Sequence, residues 1–201
     1  MTATSTSPAP LDILQHALKT IAGVDEEHFA MSYDFWQHKS FSKNEYYNEY
    51  KHVCKYLGFI LDGVFRTYYI DEKGEEKNVF FFSQHQVVVS FQSFIQQAPC
   101  NYYTQSMTES QVLYIHINQL QELYKKSHQW ERLGRLIAEM AFSISMRRTE
   151  SFLFMSPEER YLQLVTDHPD IFNSIPLYQI SSYLGIQGPS LSRIRKRISG
   201  R

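Results

Sequence analysis

The sequence predicts an α+β protein. Helices flank a small antiparallel β jelly roll, a long helix follows, and an all-α helix-turn-helix lacking a full wing comes last. Three observations carry this reading. Short aromatic and β-branched runs separated by turn residues fill the stretch from Phe29 to about Ile117, where β structure favours them. An apolar stripe at helical spacing runs from Trp130 to Ile144. The segment Leu177–Ile198, LYQISSYLGIQGPSLSRIRKRI, then carries two short helical patterns around a glycine.

The opening decapeptide MTATSTSPAP lacks the basic start and apolar centre of a secretory signal or anchor, so residues 1–10 are expected to be a disordered tail. Leu11, Leu14, Leu18 and Ile21 mark one face of a first helix, which Gly23 ends. A second short helix is expected over 25–36. Strands follow in YLGFILDGVFRTYYI, KNVFFF, QVVVSF and QVLYIHI, and the charged turn from Asp71 to Glu76, with Gly74 inside it, pairs the first two as a hairpin. Strands so short and so closely spaced suggest a small barrel or jelly roll, and residues 11–127 are assigned to this domain.

Asn118 reopens helix, and a long helix is expected from about His128 to Phe152. Its stripe is Trp130, Leu133, Ile137, Met140 and Ile144, spaced three, four, three and four, which fits either a homodimer seam or a face docked on the roll. Residues 128–155 are assigned to this helix and a hinge. Ser156-Pro157-Glu158-Glu159 then combines a capping serine, a proline at the first helical position and a glutamate able to close a capping box. It marks the start of a third unit, 156–201.

Within that unit, Ile180, Leu184, Leu191 and Ile194 bury the inner faces of two helices, and small Ser181 lets them approach. Gly185 supplies the positive φ of a sharp turn, and Ile186 plugs it from beneath. The formal net charge of the chain is −1, so general polyanion affinity is not expected. No acidic residue occurs from Gln187 to Arg201, whereas Arg193, Arg195, Lys196, Arg197 and Arg201 all fall there. A local basic cluster on a balanced protein is the expected footprint of a small element that reads double-stranded DNA, with an ordinary two-helix hairpin bearing a basic solvated face as the alternative. Gln187 and Ser190 are candidates for base contacts near the helix start, Arg193 for a base or phosphate, and Lys196 and Arg197 for the backbone.

Other classes find little support. The two cysteines, Cys54 and Cys100, suggest buried free thiols in a reducing cytosol, and two are too few for an iron–sulfur cluster. No apolar run reaches the roughly eighteen residues of a membrane span. None of the eight histidines forms the spaced pair of a cupin-type metal site; His85 and His116 stand alone. There is no P-loop, GxGxxG, GxSxG or HExxH. A cytoplasmic, non-enzymatic protein without metal or cofactor is expected.

The order of helices, small roll, long helix, hinge and helix-turn-helix resembles the Crp/Fnr (catabolite activator) family of transcription regulators over nearly the whole chain. SPEERYLQL and IPLYQISSYLGIQGPSLSRIRKRI look like its short Bacteroidetes-type branch, and LDGVFRTYYIDEKGEEKNVFFF like the hairpin of its cyclic-nucleotide-binding domain. The resemblance implies a homodimer that binds operator DNA and takes a small-molecule effector in a cyclic-nucleotide-binding-like jelly roll.

Three departures shape that expectation. Cyclic-nucleotide members fix ribose with Gly-Glu and phosphate with Arg-Ser, where this chain has Val89-Ser90 and Cys100-Asn101. No arginine lies between Arg66 and Arg132, so nothing there can grip a cyclic phosphate bidentately, and cyclic AMP is not expected as an effector bound in the usual way. Ser90, Gln92, Asn101 and Tyr102 are candidate pocket-lining residues or simply polar groups of the core. In the long helix, Arg147 and Arg148 stand where family members present small hydroxyl residues. Arg147 is a candidate anion ligand, with solvation near the hinge or DNA contact as the alternative for both. In the reading head, Gln187-Gly188-Pro189 replaces Thr-Pro-Glu, so the operator of relatives is not carried over. The chain ends at Arg201 without a wing, which shifts the burden of binding onto a dimer. The rival expectation is a sensor that signals through protein contacts with a degenerate headpiece.

Overall fold

A computed structural model describes residues 9–167, 169 and 171–199. Residues 1–8 of the expected tail over 1–10 and the terminal Arg201 lie outside them, while Pro10 is not tail but the first residue of a helix. Helix α1 (Pro10–Ala22) buries Leu14 and Leu18 and is closed by Gly23 at φ 72°. The second expected helix is shorter than the span 25–36: α2 covers Glu26–Ala30, capped by the Asp25 carboxylate on the His28 N–H, and a 3-10 turn follows at Tyr33–Phe35.

Among the described residues, eight strands form two four-stranded antiparallel sheets. They are β1 (Gln37–Phe41), β2 (Tyr46–Asn48), β3 (Tyr56–Asp62), β4 (Phe65–Ile70), β5 (Glu76–Phe82), β6 (Val87–Val88), β7 (Tyr103–Ser106) and β8 (Ser110–His116). One sheet has the order β1-β8-β3-β6, the other β2-β7-β4-β5. The hairpin expected around Gly74 joins β4 to β5, with Ile70 opposite Glu76. Gly63, at φ 103°, lets the chain cross from one sheet to the other. A Cβ there would lie 2.5 Å from the Ser110 Cβ and 2.8 Å from its Cα, so only glycine fits.

Where the strands differ from expectation, polar content is the reason. The edge strand β1 has a single buried residue, Phe41. In β7, Thr104, Gln105 and Ser106 are buried through hydrogen bonding rather than apolar character. QVVVSF yields only two strand residues before α3 (Phe91–Gln96) begins. The spacing of Phe91, Phe94 and Ile95 is helical, and Ser93 ties this helix to the Cys54 N–H at 2.9 Å.

Helices α4 (Ile117–Lys126) and α5 (His128–Phe154) follow, the former capped by His116 and the latter by Ser127. The first half of α5 packs with α1 against the β3–β8 sheet. Trp130, Leu133 and Ile137 join Leu14, Phe59 and Ile115 in the largest core, and the Trp130 indole N–H donates to the His28 carbonyl at 2.9 Å. The two sheets enclose a second core of Phe41, Ile60, Phe65, Val88 and Val112. After Met155 the capping box forms as its sequence implies: the Ser156 N–H reaches Glu159 at 2.7 Å, and the Glu159 N–H reaches the serine hydroxyl at 3.3 Å.

Helices α6 (Pro157–Asp167), α7 (Ile171–Ser174), α8 (Leu177–Leu184) and α9 (Gly188–Ser199) make the headpiece. Its core is continuous with apolar residues of the roll. Ile171, Ile180, Leu184, Leu191 and Ile194 pack in one cluster with Val64, Phe81 and Met107 of the roll, and α8 lies along β5.

Candidate nucleic-acid interface

The turn between α8 and α9 is built from backbone upward. Gly185 takes φ 68°, its N–H reaches the Ser182 carbonyl at 3.1 Å, and the Ile186 N–H reaches the Ser181 carbonyl at 3.0 Å. This pair of bonds is a Schellman closure, and Ile186 packs into the headpiece core beneath it. Ile180, Leu184, Leu191 and Ile194 are all buried, so the two helices are locked face to face.

A brace from outside the motif fixes the turn. The Phe152 ring, near the end of α5, occupies the space a Gly185 Cβ would need, 2.7 Å from its Cε1. Arg148 stacks on Phe152 at 4.4 Å and on Tyr183 at 3.8 Å, and donates to the Tyr183 carbonyl. Arg160 spans Met155, at 2.7 Å, and Leu184, at 3.1 Å, through their carbonyls. It satisfies acceptors that the ends of α5 and α8 leave open. Burial lowers the pKa of both guanidiniums from the usual arginine value and raises that of the Tyr183 hydroxyl. Solvation or DNA contact, the roles first weighed for Arg148, give way to this brace. Arg160 had no signal in the sequence beyond its place just after the capping box.

The outer side of α9 presents Arg193, Lys196 and Arg197 exposed, with Ser190 half-buried, and Gln187 is exposed just before the helix begins. Arg193 folds along its own helix, its Nη2 3.4 Å from the Ser190 hydroxyl. Arg197 is ion-paired with Glu158 on α6. The acid-free stretch of sequence therefore receives an acid from 39 positions away, and the basic face is less free than its composition suggests.

The candidate pocket residues are not brought together. Ser90 is buried, its hydroxyl 3.2 Å from that of Thr104, while Gln92, Asn101 and Tyr102 are exposed and so do not line the roll's interior. That interior is filled by Phe41, Tyr47 and Phe65, with ring centroids 5.4 to 6.2 Å apart. A Cβ on Gly58 would already sit 2.9 Å from both Val88 and Val112. Arg147 is exposed beside a shallow hollow lined by Leu136, Glu139, Met140, Ser143 and Ile144, all residues of α5 itself. Burial pushes the Cys54 thiol up to about 11, and Cys54 and Cys100 are both buried and free.

The expected dimer stripe divides in two. Trp130, Leu133 and Ile137 are core residues at 0, 2 and 8% exposure and so are unavailable to a partner, which corrects their assignment. Met140 and Ile144 are 50 and 42% exposed, and Phe142 and Met146 beside them are exposed as well. Among the described residues no group of three or more His, Cys, Asp or Glu could hold a metal ion, and no helix is long and apolar enough to cross a membrane.

Residues 38–127 match the family model of the cyclic nucleotide-binding domain. No curated protein matches the chain in sequence. Among solved structures the chain resembles FixK2 from Bradyrhizobium japonicum, with TM-score 0.70 and 14% identity over 82% of this chain and 85% of that one. A protein from Eubacterium rectale described as a crp/fnr-family transcriptional regulator gives TM-score 0.65 and 14% identity over 87% and 83%. The catabolite activator protein of Thermus thermophilus gives 0.57 and 10% over 92% and 87%. Residues 38–127 thus resemble a cyclic nucleotide-binding domain, and over most of its length the chain has the fold of Crp/Fnr-type transcription regulators.

Proposed function

We propose that the protein is a homodimeric DNA-binding transcriptional regulator of the cytoplasm, of the short Bacteroidetes-type branch, whose sensor roll does not take cyclic AMP in the usual way. The observation that carries it is α9. Its inner face, Leu191 and Ile194, is locked under α8, while Arg193 and Lys196 stand outward on a helix with no acid of its own and Gln187 is exposed at its start. Such a helix fits a major groove, with Gln187 and Ser190 near base edges and Arg193, Lys196 and Arg197 toward guanine or phosphate. Two copies joined along Met140, Phe142 and Ile144 of α5 would set paired recognition helices about 34 Å apart.

Against a cyclic phosphate stand the missing cassette arginine and an interior already filled by Phe41, Tyr47 and Phe65. An effector, if one acts, would be a molecule of other chemistry; Ser90 and Arg147 are the residues to probe for it. A second reading, signalling through protein contacts, is favoured by one observation: Arg197 is already engaged by Glu158.

Fluorescence anisotropy of the full chain on labelled duplexes separates the two. The regulator reading predicts binding whose log K falls with log salt by about 0.9 per phosphate neutralised. Absence of binding at about 50 mM salt, where such contacts are strong, would leave the second reading.

A further inference from the structure

We infer that the β2-β7-β4-β5 sheet carries a poised clasp that holds the DNA-reading headpiece on the roll and links it to the start of α3. This rests on the regulator reading for its purpose but not for its test. The clasp centres on Arg66 of β4, which is 4% exposed. Its guanidinium donates to Gln105 Oε1 at 2.7 Å, to Glu76 Oε2 at 2.5 Å and to Asn78 Oδ1 at 3.5 Å.

Those last two residues hold α8. The Asn78 amide donates to the Gln179 carbonyl at 3.0 Å, the Asn78 N–H donates to the Ser182 hydroxyl at 3.1 Å, and that hydroxyl donates to the Glu76 carbonyl at 3.0 Å. A buried cation thus orients the side chain and strand that grip the first helix of the reading motif.

The same strands face inward one residue on. Thr67 follows Arg66 and Thr104 precedes Gln105, so their side chains point to the opposite side of the sheet. There Thr67 and Thr104 hydroxyls lie 3.0 Å apart, and Ser90, at the mouth of α3, adds a third at 3.2 Å from Thr104. A shift of Ser90 is therefore two strands away from the grip on α8.

The docking is also incomplete. Gln179 is 4% exposed, and its side-chain Oε1 is buried with no hydrogen-bond partner among the described residues. An acceptor buried without a partner costs free energy that hydration of a released α8 would recover. Removing the grip and removing the orphan should therefore act in opposite directions.

Hydrogen–deuterium exchange of the full chain, without DNA, tests this on α8, with β3 and β8 as references. Asn78→Ala and Ser182→Ala should each speed α8 exchange about ten-fold and leave β3 and β8 unchanged. Gln179→Met should slow α8 exchange several-fold, and Ser90→Ala should shift it at least about two-fold from across the sheet. Unchanged α8 exchange in Asn78→Ala overturns the clasp, as does equal acceleration of β3. A Gln179→Met variant that loosens α8 overturns the poise, and a silent Ser90→Ala overturns the link. A loosened α8 in a protein that binds no duplex would leave the clasp standing and remove the regulator reading. Duplex binding with an unchanged α8 would do the reverse.

Discussion

Gly185→Ala tests the packing of the α8–α9 turn with one methyl group. At φ 68° an alanine pays about 1 to 2 kcal/mol for the left-handed backbone. Its Cβ would also stand 2.7 Å from the Phe152 ring, well inside the usual carbon–carbon separation of about 3.5 to 4.0 Å. The ring cannot swing away freely, because Arg148 and Arg160 are stacked on it at 4.4 and 4.7 Å. A further 1 to 2 kcal/mol, roughly, is expected from that overpacking, for a total of about 2 to 4. Gly23→Ala is the internal reference: its φ is 72°, and nothing lies within 4 Å of its Cβ, so it carries the backbone cost alone. Urea unfolding measures both, and a cycle with Phe152→Ala isolates the contact, with a coupling of about 1 kcal/mol or more. Equal losses at Gly185 and Gly23, with no coupling to Phe152, would refute the brace.

Other expectations follow from the same geometry. Glu158→Gln frees Arg197 and should raise affinity for all duplexes alike, steepening the salt slope by about 0.9 if the freed group takes a phosphate; this is read by anisotropy titrations across salt. Arg193→Ala should weaken specific binding by about 1 to 3 kcal/mol if it grips guanine, and weaken all sequences equally if it touches phosphate. Gly63→Ala should prevent the roll from folding, seen as loss of its β-sheet circular dichroism, because the new Cβ meets not only the Ser110 hydroxyl but also its Cβ and Cα, which no rotation of that side chain can move away. The Asp25 pKa is depressed, chiefly by the His28 N–H and then by the Gln129 amide at 2.7 Å. A depressed folded pKa gives stability that is present above the unfolded value, near 4, and is lost as pH falls toward the folded one. Asp25→Asn should flatten the acid limb of the stability–pH curve below about pH 4, with unfolding midpoints as the readout.

Much of this architecture was legible because the signals were local. Gly23, Gly185 and the Ser156–Glu159 box each need only their neighbours to act, and each does what its chemistry implies. The strands β1 and β7 escaped notice because their residues are polar and find partners only after the sheets assemble. The α5 stripe shows a different limit. Trp130 through Ile144 share one periodicity, yet the roll and α1 cover only its first half, and nothing in the helix's own sequence says where that cover stops. Pairings across long separations were equally silent: Glu158 with Arg197, Arg148 with Tyr183, and Asn78 with Gln179 join residues 39, 35 and 101 positions apart. Fold was thus readable from pattern, while the state of each site residue depended on what the fold brought beside it.

Selection of bound fragments from a random duplex pool shows whether the outer face of α9 reads duplex DNA. Duplex reading by a paired α9 should enrich an inverted repeat with half-site centres about 10 base pairs apart, lost when Arg193 and Lys196 are replaced by alanine. A pool that stays random, or an enrichment that survives those replacements, would contradict it.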